Sequence, residues 1–164
     1  MKYRVDAGKL TVQARSKLHD TTTVWDKVSG DVEADANAIE AARATFAVDM
    51  TSFDAGDWLK NRKLKKDFDM EAHPKATFEL RSVKDVVRDG AKFTATAEGV
   101  LRWRGKEVVL TLAGRGTVDD VRVEATATFE LDIKKLGLAA PRFLMIKMED
   151  EVSVEVSVRG AALA

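Results

Sequence analysis

Apolar and polar residues alternate with a period of two along most of this chain. Four valines between residues 152 and 158 alternate with polar side chains, and residues 121–133 repeat the pattern over a longer run. Successive side chains of a β-strand point to opposite faces, so each run predicts a strand with one buried face. The pattern predicts eight strands, at residues 3–15, 22–34, 43–52, 75–86, 91–103, 106–117, 121–133 and 150–159.

Short turns connect several of these strands, at residues 88–90, 104–106 and 118–120, and they fit antiparallel hairpins. Eight amphipathic strands must bury one face and protect two edges, and closing the sheet does both. We therefore predict an all-β fold, an eight-stranded antiparallel β-barrel that forms a single domain over residues 1–164. An open sandwich is the competing architecture.

Two segments depart from the alternation. Residues 54–64 predict a short helix after the third strand, with Asp54 or Asp57 as its N-cap. Residues 134–149, around Pro141, carry several large apolar side chains outside the strands. Two alternatives stay open for this second segment: a plug over one barrel end, or a mobile lid or membrane-touching lip around the mouth of a pocket.

The interior of an eight-stranded barrel is either packed or hollow. Small inward residues such as Ala95, Ala97, Ala125 and Ala127 lie among larger ones. Small residues opposite large ones are compatible with a packed core, and a band of them is compatible with an elongated cavity. The sequence leaves both alternatives open.

Composition and charge exclude several classes of function. The 27 basic and 27 acidic residues cancel, so there is no overall field to attract nucleic acid or an anionic membrane. The chain has no cysteine, which excludes disulfides, thiolate metal sites and cysteine nucleophiles. His19 beside Asp20 and His73 beside Pro74 lack the partners of a catalytic or metal site, so we predict neither. Five basic residues between 60 and 66 fit phosphate contact, but flanking aspartates favour a solvated helix end.

The chain also resembles a known family, the YceI-like domains, which are bacterial isoprenoid-binding, lipocalin-like barrels. The resemblance covers nearly the whole chain and is most specific between residues 48 and 78. The segments that carry it are Tyr3-Arg4-Val5-Asp6, Val48-Asp49-Met50-Thr51-Ser52-Phe53-Asp54-Ala55-Gly56, Asn61-Arg62-Lys63-Leu64-Lys65-Lys66-Asp67-Phe68-Asp69, His73-Pro74-Lys75-Ala76-Thr77-Phe78 and Gly99-Val100-Leu101-Arg102-Trp103-Arg104-Gly105. Residues 7–10, 17–20 and 135–137 depart from the family's pattern.

The resemblance implies a lipocalin-like barrel that holds an isoprenoid, a quinone or another lipid lengthwise, without a catalytic cofactor. A filled barrel that serves as a protein-interaction or structural module is the alternative. A transient membrane contact and a homodimer stay open. The candidate ligand-binding residues are Val12, Trp25, Phe46, Val48, Met50, Trp58, Phe68, Phe78, Phe93, Ala97, Leu101, Trp103, Leu110, Ala127, Phe129 and Phe143.

The N-terminal residues carry no apolar segment of the kind found in signal peptides. We therefore expect a soluble cytoplasmic protein. A periplasmic protein whose leader has been removed is the alternative.

Overall fold

The computed structural model describes residues 1–143 and 146–164, and the side chains of all of these except residues 143 and 146. The strands and the α-helix in this part of the chain are β1 (Lys2–Arg15), β2 (Asp20–Trp25), β3 (Val28–Glu33), β4 (Arg43–Asp49), β5 (Phe53–Asp54), α1 (Trp58–Asp67), β6 (Lys75–Asp89), β7 (Lys92–Trp103), β8 (Lys106–Val118), β9 (Arg122–Asp132), β10 (Arg142–Phe143), β11 (Ile146–Lys147) and β12 (Glu151–Ala162).

The strands close into an antiparallel barrel. Around the barrel the order is β1, β12, β9, β8, β7, β6, β4 and β3, and β3 pairs again with β1. β2 continues β3 along the other half of β1, and β5 continues β4 beside β2, so each pair serves as one interrupted strand. This confirms the predicted eight-stranded barrel and excludes the sandwich. Within the described ranges, closure leaves the barrel sheet without a long edge on which another chain's strand would pair.

The structure corrects two predicted strands. The second, at residues 22–34, is interrupted after Trp25 and resumes at Val28. The third, at residues 43–52, ends at Asp49, because its carboxylate accepts hydrogen bonds from the Thr51 amide and hydroxyl at 2.9 and 2.6 Å. These bonds favour a single 3₁₀ turn, Met50–Ser52, which buries Met50 at the barrel end. Alternation alone does not detect such local hydrogen bonds.

The helix begins later and ends later than predicted. Asp57 is the N-cap, and its carboxylate accepts a hydrogen bond from the Lys60 amide at 2.8 Å. Asp54 instead binds the Gly56 amide and the Asn61 side chain. The helix covers one end of the barrel, which we call the helix end. No helix in the described residues is long and apolar enough to cross a lipid bilayer.

β-Bulges change which residues of a strand face inward. In β1 the pairing with β12 shifts between Val5 and Ala7. Tyr3 and Val12 therefore both face the interior, although an odd- and an even-numbered residue of a regular strand would face opposite sides. Two further shifts occur in β6, at residues 80–82 and 84–87, and the first of them brings Val83 to the interior. A strict period of two therefore assigns the interior correctly only between bulges.

Two apolar clusters close the two ends of the barrel. At the helix end, Trp25, Met50, Leu64 and Trp103 belong to the larger cluster. At the opposite end, Ile39 from a 3₁₀ turn belongs to a smaller cluster that also contains Tyr3, Val118 and Val123.

The described part of residues 134–149 forms a plug at the helix end. A 3₁₀ turn, Ile133–Leu136, follows β9 and ends at Gly137, whose φ of 74° suits glycine. Leu136, Leu138 and Met148 are buried in the larger cluster. This arrangement matches the plug alternative over the described residues, while residues 144 and 145 lie outside them.

Candidate functional site

A cavity of about 320 Å³ runs through the middle of the barrel. Side chains from every strand of the barrel wall line it, and nearly all of them are apolar. This volume lies at the lower end of the range of about 300–1,000 Å³ that small-molecule sites occupy. The interior is therefore hollow, which decides the alternative that the sequence left open.

The cavity exists because small residues lie side by side on three neighbouring strands. Ala95 of β7 pairs with Gly114 of β8, and Gly114 pairs with Ala127 of β9, so the three form one row across the wall. A Cβ atom added at Gly114 would meet only the Ala95 carbonyl oxygen, at 3.7 Å. Large inward side chains on these strands would fill the space that this row leaves open.

The cavity is long and narrow. Both Phe93 and Trp103 of β7 line it, ten residues apart on one strand. At a rise of ~3.3 Å per residue and a tilt of ~40° from the barrel axis, this separation corresponds to about 25 Å of cavity length. A volume of about 320 Å³ spread over that length accommodates one extended chain rather than a compact molecule.

Two tryptophans fix the wall at the helix end. The indole N–H of Trp25 donates to the Met50 carbonyl oxygen at 3.1 Å, and that of Trp103 donates to the His73 carbonyl oxygen at 2.8 Å. Both rings line the cavity, and both are at least 94 % buried. Because the loop carbonyls satisfy the polar N–H groups, the remaining ring surface is available to an apolar ligand.

The described residues place no unpaired charge in the cavity. Arg115 belongs to the wall, but its side chain is 62 % exposed and its guanidinium lies 3.8 Å from Glu155 on the outer surface. The buried hydroxyl of Thr21, on the inward face of β2, is a neutral polar group without a hydrogen-bond partner in the described part of the chain. An anionic head group would find no countercharge inside, whereas an apolar chain has no polar group to desolvate there.

The last residue of β5, just before the loop that leads to α1, is an aspartate with a shifted pKa. The Gly56 amide and the Asn61 side chain donate to Asp54, and these hydrogen bonds lower the pKa of its carboxyl group. The bonded carboxylate ties the start of the helix to the strand that precedes it. Because Phe68, which follows the helix, lines the cavity, this loop helps to position one wall of the site.

Most of the predicted ligand-binding residues line the cavity. The fourteen that do are Val12, Trp25, Phe46, Val48, Met50, Phe68, Phe78, Phe93, Ala97, Leu101, Trp103, Leu110, Ala127 and Phe129. Their role in binding stays a prediction. The side chain of Phe143, also predicted, lies outside the described residues.

The structure corrects the prediction for Trp58. Its side chain is 68 % exposed, and it does not line the cavity. The reason is its position in the first turn of α1, on the side away from Leu64, which packs into the barrel. The resemblance to the family's helix suggested a place for Trp58 at the mouth of the pocket, but the side of the helix that faces the barrel decides its exposure.

Several lining residues were not predicted as ligand-binding. Ile39, Leu136 and Leu138 lie in irregular segments that reach the cavity from its two ends. Val83 lies between the two bulges of β6. The apolar character of 134–149 indicated a contribution from Leu136 and Leu138, but no sequence signal locates the bulges.

Known proteins with this architecture support the assignment of the fold. The crystal structure of BcnA from Burkholderia cenocepacia is 20 % identical, with a TM-score of 0.76 over 93 % of this chain and 95 % of that one. A polyisoprenoid-binding domain from Saccharophagus degradans, implicated in plant cell wall breakdown, is 15 % identical, with a TM-score of 0.77 over 98 % of both chains. The YCEI protein of Campylobacter jejuni is 12 % identical, with a TM-score of 0.74 over 92 % and 90 %.

No curated protein sequence matches the chain. The family model of the YceI-like domain matches residues 3–160, almost the whole sequence. The closed barrel, its apolar cavity and this match lead to one conclusion: the chain belongs to the YceI-like domain family.

Proposed function

We propose that this protein binds a single apolar, chain-shaped molecule lengthwise in its barrel and thereby carries or stores it. The observation that carries the proposal is the long, apolar cavity of about 320 Å³. An isoprenoid or the isoprenoid tail of a quinone has the shape and polarity that this space accepts. The polyisoprenoid-binding neighbour of the same fold supports that choice of ligand class.

The cavity volume sets the expected size and affinity of the ligand. An engineered cavity of about 150 Å³ binds benzene, or about 25 Å³ per carbon, so about 320 Å³ holds roughly a dozen carbons. Burying a dozen methylene equivalents contributes about 10 kcal/mol, and association costs at least about 4 kcal/mol. The difference corresponds to a Kd of the order of tens of micromolar.

The lining favours a neutral ligand over a fatty acid. The described wall places no cation inside the cavity that could pair with a carboxylate, since the Arg115 guanidinium lies outside. A buried, unpaired carboxylate is strongly unfavourable. We therefore expect a prenyl alcohol to bind more tightly than a fatty acid of equal carbon number.

The two cavity tryptophans provide the test. Of the three tryptophans in the chain, Trp25 and Trp103 line the cavity and Trp58 is exposed. In a Trp58→Phe background, the emission of Trp25 and Trp103 reports the interior alone. We expect a short-chain ubiquinone to quench this emission saturably at one molecule per protein, and farnesol to compete with it.

Native mass spectrometry of the same mixture should show one bound molecule. If quenching does not saturate, or if no complex survives in the mass spectrum, the proposed function is wrong.

A binding role rather than catalysis is part of the proposal. The backbone carbonyl oxygen of His73 accepts a hydrogen bond from the Trp103 indole N–H, which is consistent with a structural role for the loop that contains His73. His19 lies in the turn between β1 and β2. In the described residues, no group of three or more His, Asp or Glu side chains is placed to hold a metal ion. The filled-barrel alternative is less well supported, because the interior is not filled. Cytoplasmic location stays a prediction.

A further inference from the structure

The outer face of α1 combines exposed apolar side chains with positive charge. Trp58 and Leu59 are 68 % and 61 % exposed, although both are large hydrophobic residues. They follow each other directly in the first turn of the helix. A soluble surface gains nothing from exposing a tryptophan–leucine pair, whereas a binding surface does.

Basic residues continue the same face. Arg62 and Lys66 follow Trp58 at intervals of four residues, and this spacing places all three side chains along one side of the helix. Leu59 lies beside them, three residues before Arg62. Arg62 and Lys66 are both exposed and make no ion pair with any residue in the described ranges. Their charge is available to a partner.

The neighbouring charges do not cancel this face. Lys63 pairs with Asp67 at 3.1 Å, and Lys65 pairs with Glu71 at 2.7 Å. At the other end of the helix, Asp54 and Asp57 keep their negative charges, although both accept hydrogen bonds from backbone amides. The positive charge of the face therefore lies at Arg62 and Lys66, one and two turns further along the helix. The whole chain is neutral, so this positive face is a local feature rather than a result of overall composition.

The helix is held firmly on the barrel. Leu64 is buried in the core on the inner side of α1, and Phe68 lines the cavity. The guanidinium of Arg104, in the turn between β7 and β8, donates to the Phe68 carbonyl oxygen. The exposed pair therefore lies on the outside of the element that covers the cavity.

We propose that the face of α1 formed by Trp58, Leu59, Arg62 and Lys66 docks the protein on the surface of an anionic lipid bilayer. Tryptophan and leucine partition into the head-group region, while arginine and lysine bind the anionic head groups. Each contribution is weak alone, and their combination gives reversible attachment. Docking orients the helix end of the barrel towards the membrane. The proposal does not depend on the identity of any ligand in the cavity.

Co-sedimentation with vesicles tests the proposal. The full chain should sediment with vesicles of equal parts phosphatidylcholine and phosphatidylglycerol and should stay in solution with pure phosphatidylcholine. Of the three tryptophans, Trp58 alone is exposed, so a blue shift of emission on vesicle addition reports its insertion. Raising the salt concentration should weaken the attachment, because it screens the basic side chains.

Two double variants separate the two contributions. We expect Trp58→Ser with Leu59→Ser, and Arg62→Gln with Lys66→Gln, each to lower vesicle affinity by roughly tenfold or more. The matched controls remove two exposed valines, Val109→Ser with Val121→Ser, which are 64 % and 69 % exposed elsewhere. The charge control, Arg43→Gln with Lys84→Gln, removes exposed cations nearer the opposite end. Both controls should bind like the natural chain.

Specific outcomes would overturn the proposal. Equal binding to neutral and anionic vesicles, or loss of binding in the controls, would exclude recognition by this face. Unchanged binding after loss of Trp58 and Leu59 would indicate simple attraction between charges, as for nucleic acid. A blue shift that grows with protein concentration in the absence of vesicles would show that a second copy of the chain covers the face.

Discussion

Replacing Gly114 by leucine should fill part of the cavity and stabilise the empty protein. A Cβ at this position meets only the Ala95 carbonyl oxygen, at 3.7 Å, and the backbone is outside the left-handed region, so a side chain enters without strain. Four added carbons at about 25 Å³ each occupy about a third of the cavity. Burial of the leucine and a less flexible unfolded chain should raise the free energy of unfolding by about 2 kcal/mol.

The same substitution should weaken ligand binding. The leucine displaces about four methylene groups of the ligand at ~0.8 kcal/mol each, so the Kd should rise roughly 200-fold. Urea denaturation measures the stability, and quenching by the short-chain ubiquinone in the Trp58→Phe background measures the affinity. Ala113→Leu is the matched control, because Ala113 is exposed on the outer face beside Gly114.

The control should bind like the parent protein. If Gly114→Leu bound the quinone as tightly as the parent, the ligand would not occupy the cavity. If the variant were destabilised instead, the space at Gly114 would not exist in solution.

Three further predictions follow from other parts of the barrel. Gly116→Ala should lower the free energy of unfolding by about 1–3 kcal/mol in urea denaturation, because its Cβ would lie 2.1 Å from the Glu124 carbonyl oxygen; unchanged stability would contradict that geometry. Burial raises the pKa of the Tyr3 hydroxyl, so its contribution to stability is complete below the ordinary tyrosine pKa of about 10 and is lost as pH rises through the folded value. Tyr3→Phe should therefore flatten the alkaline limb of a thermal stability profile, and an unaltered limb would refute this. Hydrogen bonds lower the pKa of Asp54, so its contribution is present above the unfolded value of about 3.9 and is lost as pH falls through the folded one; Asp54→Asn should remove this acid dependence from the same profile.

The sequence predicted the barrel because a period of two is a local property. Each strand shows its buried face through its own residues, and eight such strands with short turns leave closure as the simplest way to bury that face and protect the edges. Family-specific motifs predicted the lipocalin-like barrel independently. Because alternation identifies the inward face of each strand, fourteen of the sixteen predicted ligand-binding residues line the cavity.

The hollow interior was decided only by the tertiary structure. Ala95, Gly114 and Ala127 are far apart in the chain, and only the strand register brings them into one row. Whether small residues face large ones or one another depends on that register, which the bulges in β1 and β6 shift. The exposure of Trp58 likewise follows from the side of α1 that Leu64 buries. Local alternation therefore determines the barrel, and non-local pairing determines the space inside it.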